Sequence, residues 1–300
     1  MKEFHNIIKE IGEELGIKVT LLSDGWLIIL EKDNKIHYIN GYKFDLNNHG
    51  IGNILDDKGL FYDAMVYKNL PTIERLSIYE SYNKKEILDY FKKNNNELIV
   101  KGNIGTCGKN VYLVKDETSL FNKMDRLLSK QDSISVEPFY DIINEYRVIL
   151  LNGDVKIVYG KERPTIIGDG VHSVKELAVK FNEYFVENDR VIKNPDYIPS
   201  NGEIIELDFR FNLSTGARLF TEIDNELKNR VMEIAELVTR SLDISFASVD
   251  IIYTRDNKLY VLEANSGVMM DNYIKQSLDG RTNAYNVYKE AIKSMFDIKD

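Results

Sequence analysis

The chain has 300 residues, of which 43% are hydrophobic and 29% are charged, values that are typical of a folded globular protein and exclude general disorder. The net charge of −9 argues against binding to a nucleic-acid backbone as the main task. The longest apolar run, residues 26–30, is far shorter than the ~20 residues of a membrane helix, and no signal-peptide pattern opens the chain, so we expect a cytoplasmic protein without a membrane partner.

The first part of the chain predicts one helix followed by a small antiparallel sheet. Apolar side chains at helical spacing predict a helix over residues 4–15, and Gly16 follows at the position of a C′ glycine. Three β-rich runs, at residues 17–22, 25–31 and 34–39, then predict short strands. We therefore expect a short N-terminal α/β domain over residues 1–55, followed by a helix over residues 60–67.

The remaining chain, residues 56–300, mixes helical and strand patterns, which predicts an α+β fold. The patterns Asn83–Glu86 and Ser173–Glu176 predict the starts of two helices, because their spacing is that of a capping box. Other expected elements are strands between residues 97 and 160, a helix over 226–242, a hairpin over 247–265 and a last helix over 283–296. Since no Pro-rich linker separates the lobes, we expect them to share a cleft.

A glycine-rich loop directly follows an apolar strand and predicts a phosphate cradle. Its glycines are Gly102, Gly105 and Gly108. At such positions backbone N–H groups can approach phosphate oxygens without interference from a Cβ atom. The loop is not a Walker loop, because Lys109 is followed by Asn–Val and a strand-like run. Lys101, at the end of the preceding strand, is placed to bind phosphates as a point charge. A purely structural glycine turn is the alternative.

The most informative stretch is residues 248–265, in which two β-rich runs flank Asp256–Asn257. A two-residue turn there places Asp250 directly opposite Glu263, and Asn265 lies two residues further along the same face. Like charges at paired positions destabilise a sheet, and a divalent cation would remove that cost. Two carboxylates and an amide oxygen suit Mg²⁺ or Mn²⁺, whereas a single cysteine and 4 His exclude a Cys/His zinc cluster. The alternative is a solvent-facing hairpin with ordinary surface acids.

In this order, the features resemble the ATP-grasp superfamily of carboxylate–amine ligases, nearest the branch of glutathione synthetase, D-alanine ligase and the ATP-grasp half of cyanophycin synthetase. The resemblance covers about residues 45–275. Its further motifs are Asp57-Lys58, Leu70-Pro71-Thr72, Ser135–Tyr140, Glu145-Tyr146-Arg147, Arg163–Gly170 and Asn212–Gly216. It implies an ATP-grasp fold in which two α+β subdomains, residues 56–140 and 141–300, clasp ATP.

The resemblance also implies roles for individual residues. ATP would be bound by Lys58, Lys101, Gly102, Gly105, Gly108, Glu137, Pro138, Phe139 and Tyr140, with Glu145 at the ribose. Magnesium or manganese would be bound by Asp250, Glu263 and Asn265. The substrate-side loop would supply Asn212, Ser214, Thr215 and Gly216. Arg163 would act at the transferring phosphoryl group, and Arg147 is the second candidate catalytic residue.

The activity that the resemblance implies is ATP-dependent, ADP-forming ligation of a small-molecule carboxylate to an amine, such as an amino acid or peptide, through an acylphosphate. A homodimer is compatible with it. Two alternatives stay open: a kinase of the same fold that phosphorylates a hydroxyl, and a nucleotide-binding regulator without turnover. The chain departs from the family after Asn265, where Ser266-Gly267 replaces the usual Pro-Gly turn. The acceptor pocket is therefore the part of the family pattern that transfers least.

Overall fold

The computed structural model describes residues 2–105, 110–182, 185 and 192–299. Within these ranges the helices span Lys2–Leu15, His49–Asp56, Lys58–Tyr67, Lys84–Lys93, Glu117–Leu128, Val174–Phe181, Asn225–Ser241, Asp271–Gln276 and Gly280–Met295. None of these helices is long and apolar enough to cross a bilayer. The predicted position of Gly108 lies outside the described residues.

The strands, in chain order, are β1 (Lys18–Leu22), β2 (Leu27–Lys32), β3 (Lys35–Asn40), β4 (Lys43–Phe44), β5 (Leu76–Tyr79), β6 (Leu98–Gly102), β7 (Val111–Val114), β8 (Ser133–Pro138), β9 (Ile142–Leu151), β10 (Asp154–Glu162), β11 (Thr165–Ile167), β12 (Ile204–Glu206), β13 (Arg218–Phe220), β14 (Phe246–Thr254) and β15 (Leu259–Asn265). They form four sheets with the orders β1-β2-β3-β4, β5-β8-β6-β7, β13-β10-β9-β14-β15 and β11-β12.

The N-terminal helix and sheet agree with the prediction. The helix turns Phe4, Ile7, Ile8 and Ile11 toward the inner face of the sheet, and all four are fully buried. Gly16 follows the helix with φ +64°, a value that favours glycine. The His49–Asp56 helix was not predicted. It begins where the Asn48 side chain accepts a hydrogen bond from the N–H of Ile51.

The sheet β5-β8-β6-β7 presents two different faces because side chains alternate along each strand. On one face, Val100, Ile134 and Val136 pack against the helices Lys84–Lys93 and Glu117–Leu128. On the other face lie the intervening residues, among them Lys101 and Glu137. The alternation therefore directs the charged side chains of this sheet away from its core.

The five-stranded sheet is divided in the same way. Along β9, Tyr146, Val148 and Leu150 pack with the helix Asn225–Ser241, whereas Ile149 and Leu151 join the core beneath the N-terminal helix. Glu145 and Arg147 share the face of Ile149, further toward the start of the strand. Apolar core side chains therefore lie at one end of this face of β9, and charged side chains lie at the other end.

The hairpin of β14 and β15 contains the predicted opposition of Asp250 and Glu263, but the predicted two-residue turn is wrong. The turn has one more residue: the N–H of Thr254 donates to the carbonyl of Lys258 at 3.0 Å, and Asn257 has φ +62°. A β-bulge next to Asp250 compensates for this residue. Two departures from the expected register thus cancel at the pair of acids.

Candidate active site

A cleft lies between the sheet β5-β8-β6-β7 and the five-stranded sheet. Its lining brings together most of the residues that the sequence singled out: Lys58, Lys101, Gly102, Gly105, Glu137, Pro138, Phe139, Tyr140, Glu145, Arg147, Asn212, Asp250 and Glu263. Because these residues come from strands, loops and a helix start that are far apart in sequence, their convergence is a property of the tertiary structure.

Lys58 lies at the start of its helix because Asp57 caps that helix. The Asp57 carboxylate accepts hydrogen bonds from the N–H groups of Gly59 and Leu60, at 2.7 and 3.0 Å. The Lys58 ammonium donates to the carbonyl of Gly105 at 2.9 Å and lies 3.5 Å from Glu263 Oε2. Lys58 therefore contacts both the glycine loop and the opposite, acidic wall.

We call the side of the cleft at the sheet β5-β8-β6-β7 the first wall. Three buried charges there form a group around Glu137. Its Oε1 lies 2.8 Å from Lys101 Nζ and 2.6 Å from Arg75 Nε. Burial lowers the pKa of Lys101 to about 8, although the Glu137 carboxylate acts in the opposite direction. Burial likewise opposes ionisation of Glu137, but Arg75 and Lys101 outweigh it and the pKa of this carboxyl is lowered. The Glu137 carboxylate thus holds Lys101 in place.

The opposite side of the cleft, at the five-stranded sheet, is the second wall. It carries a row of charges on neighbouring strands. Arg147 on β9 pairs with Asp250 on β14, which pairs in turn with Glu263 on β15. Arg147 makes a bidentate contact with Asp250, with Nε–Oδ1 at 2.8 Å and Nη2–Oδ2 at 2.6 Å. Lys161 Nζ donates to Asp250 Oδ1 at 2.9 Å and to Glu145 Oε1 at 2.5 Å.

These contacts balance two positive against two negative side chains, of which Lys161, Asp250 and Glu145 are buried and Arg147 is partly buried. Burial opposes ionisation of Asp250, but Arg147 and Lys161 outweigh it and hold the pKa of its carboxyl well below the usual range. For Glu145 burial dominates, and its pKa is raised despite the nearby Lys161. The repulsion expected between Asp250 and Glu263 is therefore already reduced by side chains of the protein itself.

The remaining oxygen atoms suit a hard divalent cation. Asp250 Oδ2 accepts one hydrogen bond and keeps a lone pair. Glu263 Oε2 lies 3.5 Å from Lys58 Nζ. The Asn265 side-chain NH₂ group donates to Glu263 Oε1 at 3.3 Å, so the side-chain oxygen of Asn265 is left to bind a cation. No group of three or more His, Cys, Asp or Glu residues suitable for a metal ion occurs in the described part of the chain. The set fits Mg²⁺ or Mn²⁺, which commonly use one or two carboxylates and complete their shell with water and phosphate.

Arg163 lies outside the set of residues that line the cleft. Its guanidinium donates to the carbonyl of Ile142 at 3.0 Å and to Glu206 at 3.1 Å, and it stacks over the ring of Phe211. Lys161, two residues earlier in the chain, lines the cleft in place of Arg163. Strand β10 ends at Glu162, so the chain leaves the sheet before Arg163.

Of the four predicted substrate-side residues, Asn212 lines the cleft, and Leu213 of the same loop lines it too. The Asn212 side-chain oxygen accepts hydrogen bonds from the N–H and the hydroxyl of Ser214, at 3.0 and 2.8 Å. Thr215 ends the short 3₁₀ turn, and Gly216 follows with φ +104°. Ser214, Thr215 and Gly216 therefore shape the turn that carries Asn212.

Sequence reasoning missed two of the buried cations, Arg75 and Lys161. A signal for Lys161 was present, because it lies two residues after Tyr159 and four after Ile157 in a strand pattern, and alternate residues share a face. No local pattern distinguishes Arg75, which is only 4% exposed, from a surface arginine before a strand. Its partner Glu137 is distant in sequence.

Comparison with known proteins relates this architecture to a group of ligases. No protein-family model matches the chain. It is 26% identical over 196 residues to the glutathione biosynthesis bifunctional protein GshAB of Listeria monocytogenes, a match that covers 56% of this chain and 25% of that protein. The corresponding protein of Enterococcus faecalis is 26% identical over 210 residues, with 60% and 28% covered. The chain thus spans about a quarter of the length of these curated relatives.

Solved structures extend the likeness to almost the whole chain. A bifunctional glutathione synthetase from Pasteurella multocida matches with a TM-score of 0.59 at 16% identity, covering 98% of this chain and 44% of that one. A D-alanine–D-alanine ligase from Bacillus anthracis matches with a TM-score of 0.55 at 16% identity, covering 82% and 67%. The ATP-grasp ligase PsnB matches with a TM-score of 0.50 at 12% identity, covering 81% and 63%. The resemblance seen in the sequence is confirmed, and this chain has the α+β ATP-grasp fold.

Proposed function

We propose that the protein is a cytoplasmic, ATP-dependent, ADP-forming carboxylate–amine ligase that makes an amide or peptide bond through an acylphosphate. The observation that carries the proposal is the meeting of two charged walls in one cleft. Lys58 and Lys101 belong to one wall, and Arg147, Asp250 and Glu263 belong to the other. The 3.5 Å approach of Lys58 to Glu263 supports the proposal that one small ligand contacts both walls.

In this proposal the base of ATP lies against the segment Pro138–Tyr140, and the phosphates lie between Lys58 and Lys101. A substrate carboxylate oxygen attacks the γ-phosphorus while the bond to the ADP oxygen breaks. The neutral amine nitrogen then attacks the acyl carbon, the bond from that carbon to the phosphate oxygen breaks, and the proton lost by the nitrogen leaves with the inorganic phosphate. Phosphoryl transfer of this kind depends mainly on position and on compensation of charge, so buried cations are the appropriate catalytic groups.

The residues of the second wall bind and orient the reacting groups. Lys161 is the cation that we place at the transferring phosphoryl group, because it lies in the cleft and Arg163 does not. Arg147 is held by Asp250 in a fixed orientation. Mg²⁺ or Mn²⁺ bound by Asp250, Glu263 and Asn265 would neutralise phosphate charge.

The test supplies purified protein with ATP and Mg²⁺ and with pools of small carboxylates and amines, and it measures ADP, free phosphate and product mass. We expect equal amounts of ADP and phosphate and a product with the mass of the two substrates minus water. Glu263→Ala should abolish turnover, whereas Glu233→Ala, at an exposed helical position, should not. ADP without free phosphate, together with a product heavier by one phosphoryl group, would instead identify a kinase and refute the proposal.

A further inference from the structure

Arg75 is a buried cation beside the first wall. Its side chain is only 1% exposed, and it lies in the short segment between the helix Lys58–Tyr67 and β5. In the part of the chain that the structure describes, Arg75 does not belong to the cleft lining. A buried guanidinium needs partners for its N–H groups, because a buried unpaired charge is costly. Its partners are therefore groups of the protein.

These partners link Arg75 to both of the lysines that we propose to bind the nucleotide. Guanidinium Nη1 donates to the backbone carbonyl of Lys58. Nε lies 2.6 Å from Glu137 Oε1, the same oxygen atom that lies 2.8 Å from Lys101 Nζ. One rigid, planar group thus joins the backbone of one lysine to the counter-ion of the other.

The two lysines belong to different elements, so contacts between these elements fix their separation. Lys58 begins a helix, whereas Lys101 lies near the end of β6. The ring of Tyr62, one turn along the helix from Lys58, lies with its centroid 5.5 Å from Arg75 Cζ. The N–H of Lys58 donates to the carbonyl of Asn103, just after β6, at 3.2 Å. Arg75 thus contacts the helix start twice, and Asn103 provides a second link to β6.

The segment that precedes Arg75 is attached to the second wall. The carbonyl of Pro71 accepts from the N–H of Val261 at 3.0 Å, and the Thr72 hydroxyl donates to the carbonyl of Val261 at 3.1 Å. Val261 lies on β15, two residues before Glu263. The chain between Thr72 and Arg75 therefore runs from the strand of a candidate metal ligand to the two lysines.

We propose that Arg75 is a positioning residue that holds Lys58 and Lys101 at the separation that the phosphates of the nucleotide require. The proposal rests on the proposed function, because it assumes that these lysines bind a triphosphate. Arg75 acts through the Lys58 carbonyl and the Glu137 carboxylate, not through contact with the nucleotide. Arg75→Lys would keep the charge but not both contacts, since one ammonium cannot replace two nitrogen atoms of the guanidinium fork.

The charge of Arg75 also affects the ionisation of Lys101. The described charged side chains that face Lys101 are Glu137 on β8, Arg75 ahead of β5, Lys58 at its helix start and Glu263 on β15. Burial, the largest influence, lowers the pKa of Lys101 to about 8; Arg75 and Lys58 act in the same direction, and the two carboxylates oppose them. Loss of the Arg75 charge therefore raises this pKa, whereas loss of packing elsewhere in the sheet does not.

The experiment compares Arg75→Met, Arg75→Lys and Ile78→Ala in the full chain. Ile78 is a matched control for lost stability, because it lies on β5 near Arg75 and its buried side chain packs in the apolar core of the same sheet. Calorimetry gives the affinity for a non-hydrolysable ATP analogue, from neutral pH to above the pKa of Lys101. NMR titration gives the affinity for adenosine, which has no phosphates.

Hydrogen exchange in the free protein supplies a measurement that needs no ligand. It is followed at the Gly59 amide, because this N–H and the Lys58 carbonyl belong to the same peptide group. The Gly59 N–H donates to the Asp57 carboxylate at 2.7 Å. Movement of the Lys58 carbonyl after loss of the Arg75 contact should therefore open this hydrogen bond more often.

For Arg75→Met we expect ATP-analogue binding about tenfold weaker at neutral pH, adenosine binding within about twofold of the wild type, and exchange at Gly59 about tenfold faster. The fall of ATP-analogue affinity with rising pH should move to higher pH. Arg75→Lys should bind the analogue as weakly at neutral pH, with that fall near its original position because the charge is kept. Ile78→Ala should lower the urea midpoint and leave both affinities and the pH dependence unchanged.

Unchanged analogue affinity in both Arg75 variants, or equal losses for the analogue and adenosine, would overturn the proposal. An unmoved pH dependence in Arg75→Met would overturn the link from Arg75 to Lys101. Should Arg75→Met not fold, Arg75→Lys decides by the same comparison at neutral pH. If the wild type binds the analogue but forms no amide, the ligase function fails, while the binding and exchange measurements still decide the role of Arg75.

Discussion

The sharpest test of the charged row is the substitution Asp250→Asn, which keeps the shape of the side chain and removes its charge. Asp250 is 2% exposed and contacts Arg147 and Lys161 at 2.6 to 2.9 Å. After the substitution, the buried Lys161 and the partly buried Arg147 keep Glu145 as the nearby buried anion among the described residues. The amide nitrogen of asparagine also cannot accept a hydrogen bond, so one of the two acceptor atoms of the bidentate contact is lost.

The magnitude follows from the geometry. Two unit charges about 4 Å apart interact by roughly 4 kcal/mol at an effective dielectric constant of about 20. Removing one member of a buried ion pair costs about 3–5 kcal/mol, because the other charge stays buried. We therefore expect Asp250→Asn to lower the free energy of unfolding by about 3–5 kcal/mol. The matched control is Asp141→Asn, which breaks the Arg255–Asp141 pair, 2.7 Å apart with 73% and 61% exposed side chains. It should cost at most about 1 kcal/mol.

The measurement is urea denaturation followed by circular dichroism, with EDTA present and nucleotide absent so that binding does not contribute. The midpoint should shift while its slope stays constant. The difference between wild type and Asp250→Asn should be full above the unfolded aspartate pKa of about 3.9 and should shrink as the pH falls below it, because the folded-state pKa of Asp250 is depressed. Equal, small losses in Asp250→Asn and Asp141→Asn would refute the reasoning.

Three further outcomes are expected. Burial lowers the pKa of Lys101 to about 8, so the affinity for a non-hydrolysable ATP analogue should fall as the pH rises through that value. Calorimetry measures this affinity, and Lys101→Arg should remove its pH dependence near 8. Asn47 makes three side-chain hydrogen bonds to the backbone around the start of β14; Asn47→Ala should lower the free energy of unfolding in urea by about 2 kcal/mol, and exposed Asn53→Ala by far less. Lys161→Gln should reduce ligase turnover more than 100-fold relative to Arg163→Gln, about the effect of one lost charge-stabilising donor; equal losses would contradict the placement of Lys161.

Much of the local structure was accessible from the sequence because it depends on neighbouring residues. The helix of residues 4–15 was visible in apolar spacing, and the Ser173–Glu176 capping box forms as predicted. The Asp250–Glu263 opposition was also predicted correctly, although the turn was not. A bulge and a longer turn have no clear signature in these residue types, and their effects happened to cancel.

The sequence by itself determined which side chains share a face, since alternation along a strand is a local property. It thereby separated Lys101 from its apolar neighbours, whereas the opposition of Asp250 and Glu263 also needed the bulge that offsets the longer turn. Only the tertiary structure decided which charges neutralise one another: Arg147 and Lys161 lie 103 and 89 residues from Asp250 in sequence. The end of β10 before Arg163 likewise decided that Arg163 does not continue the alternation that turns Lys161 toward the cleft. Such pairings arise when strands distant in sequence come side by side and buried charges must find partners there.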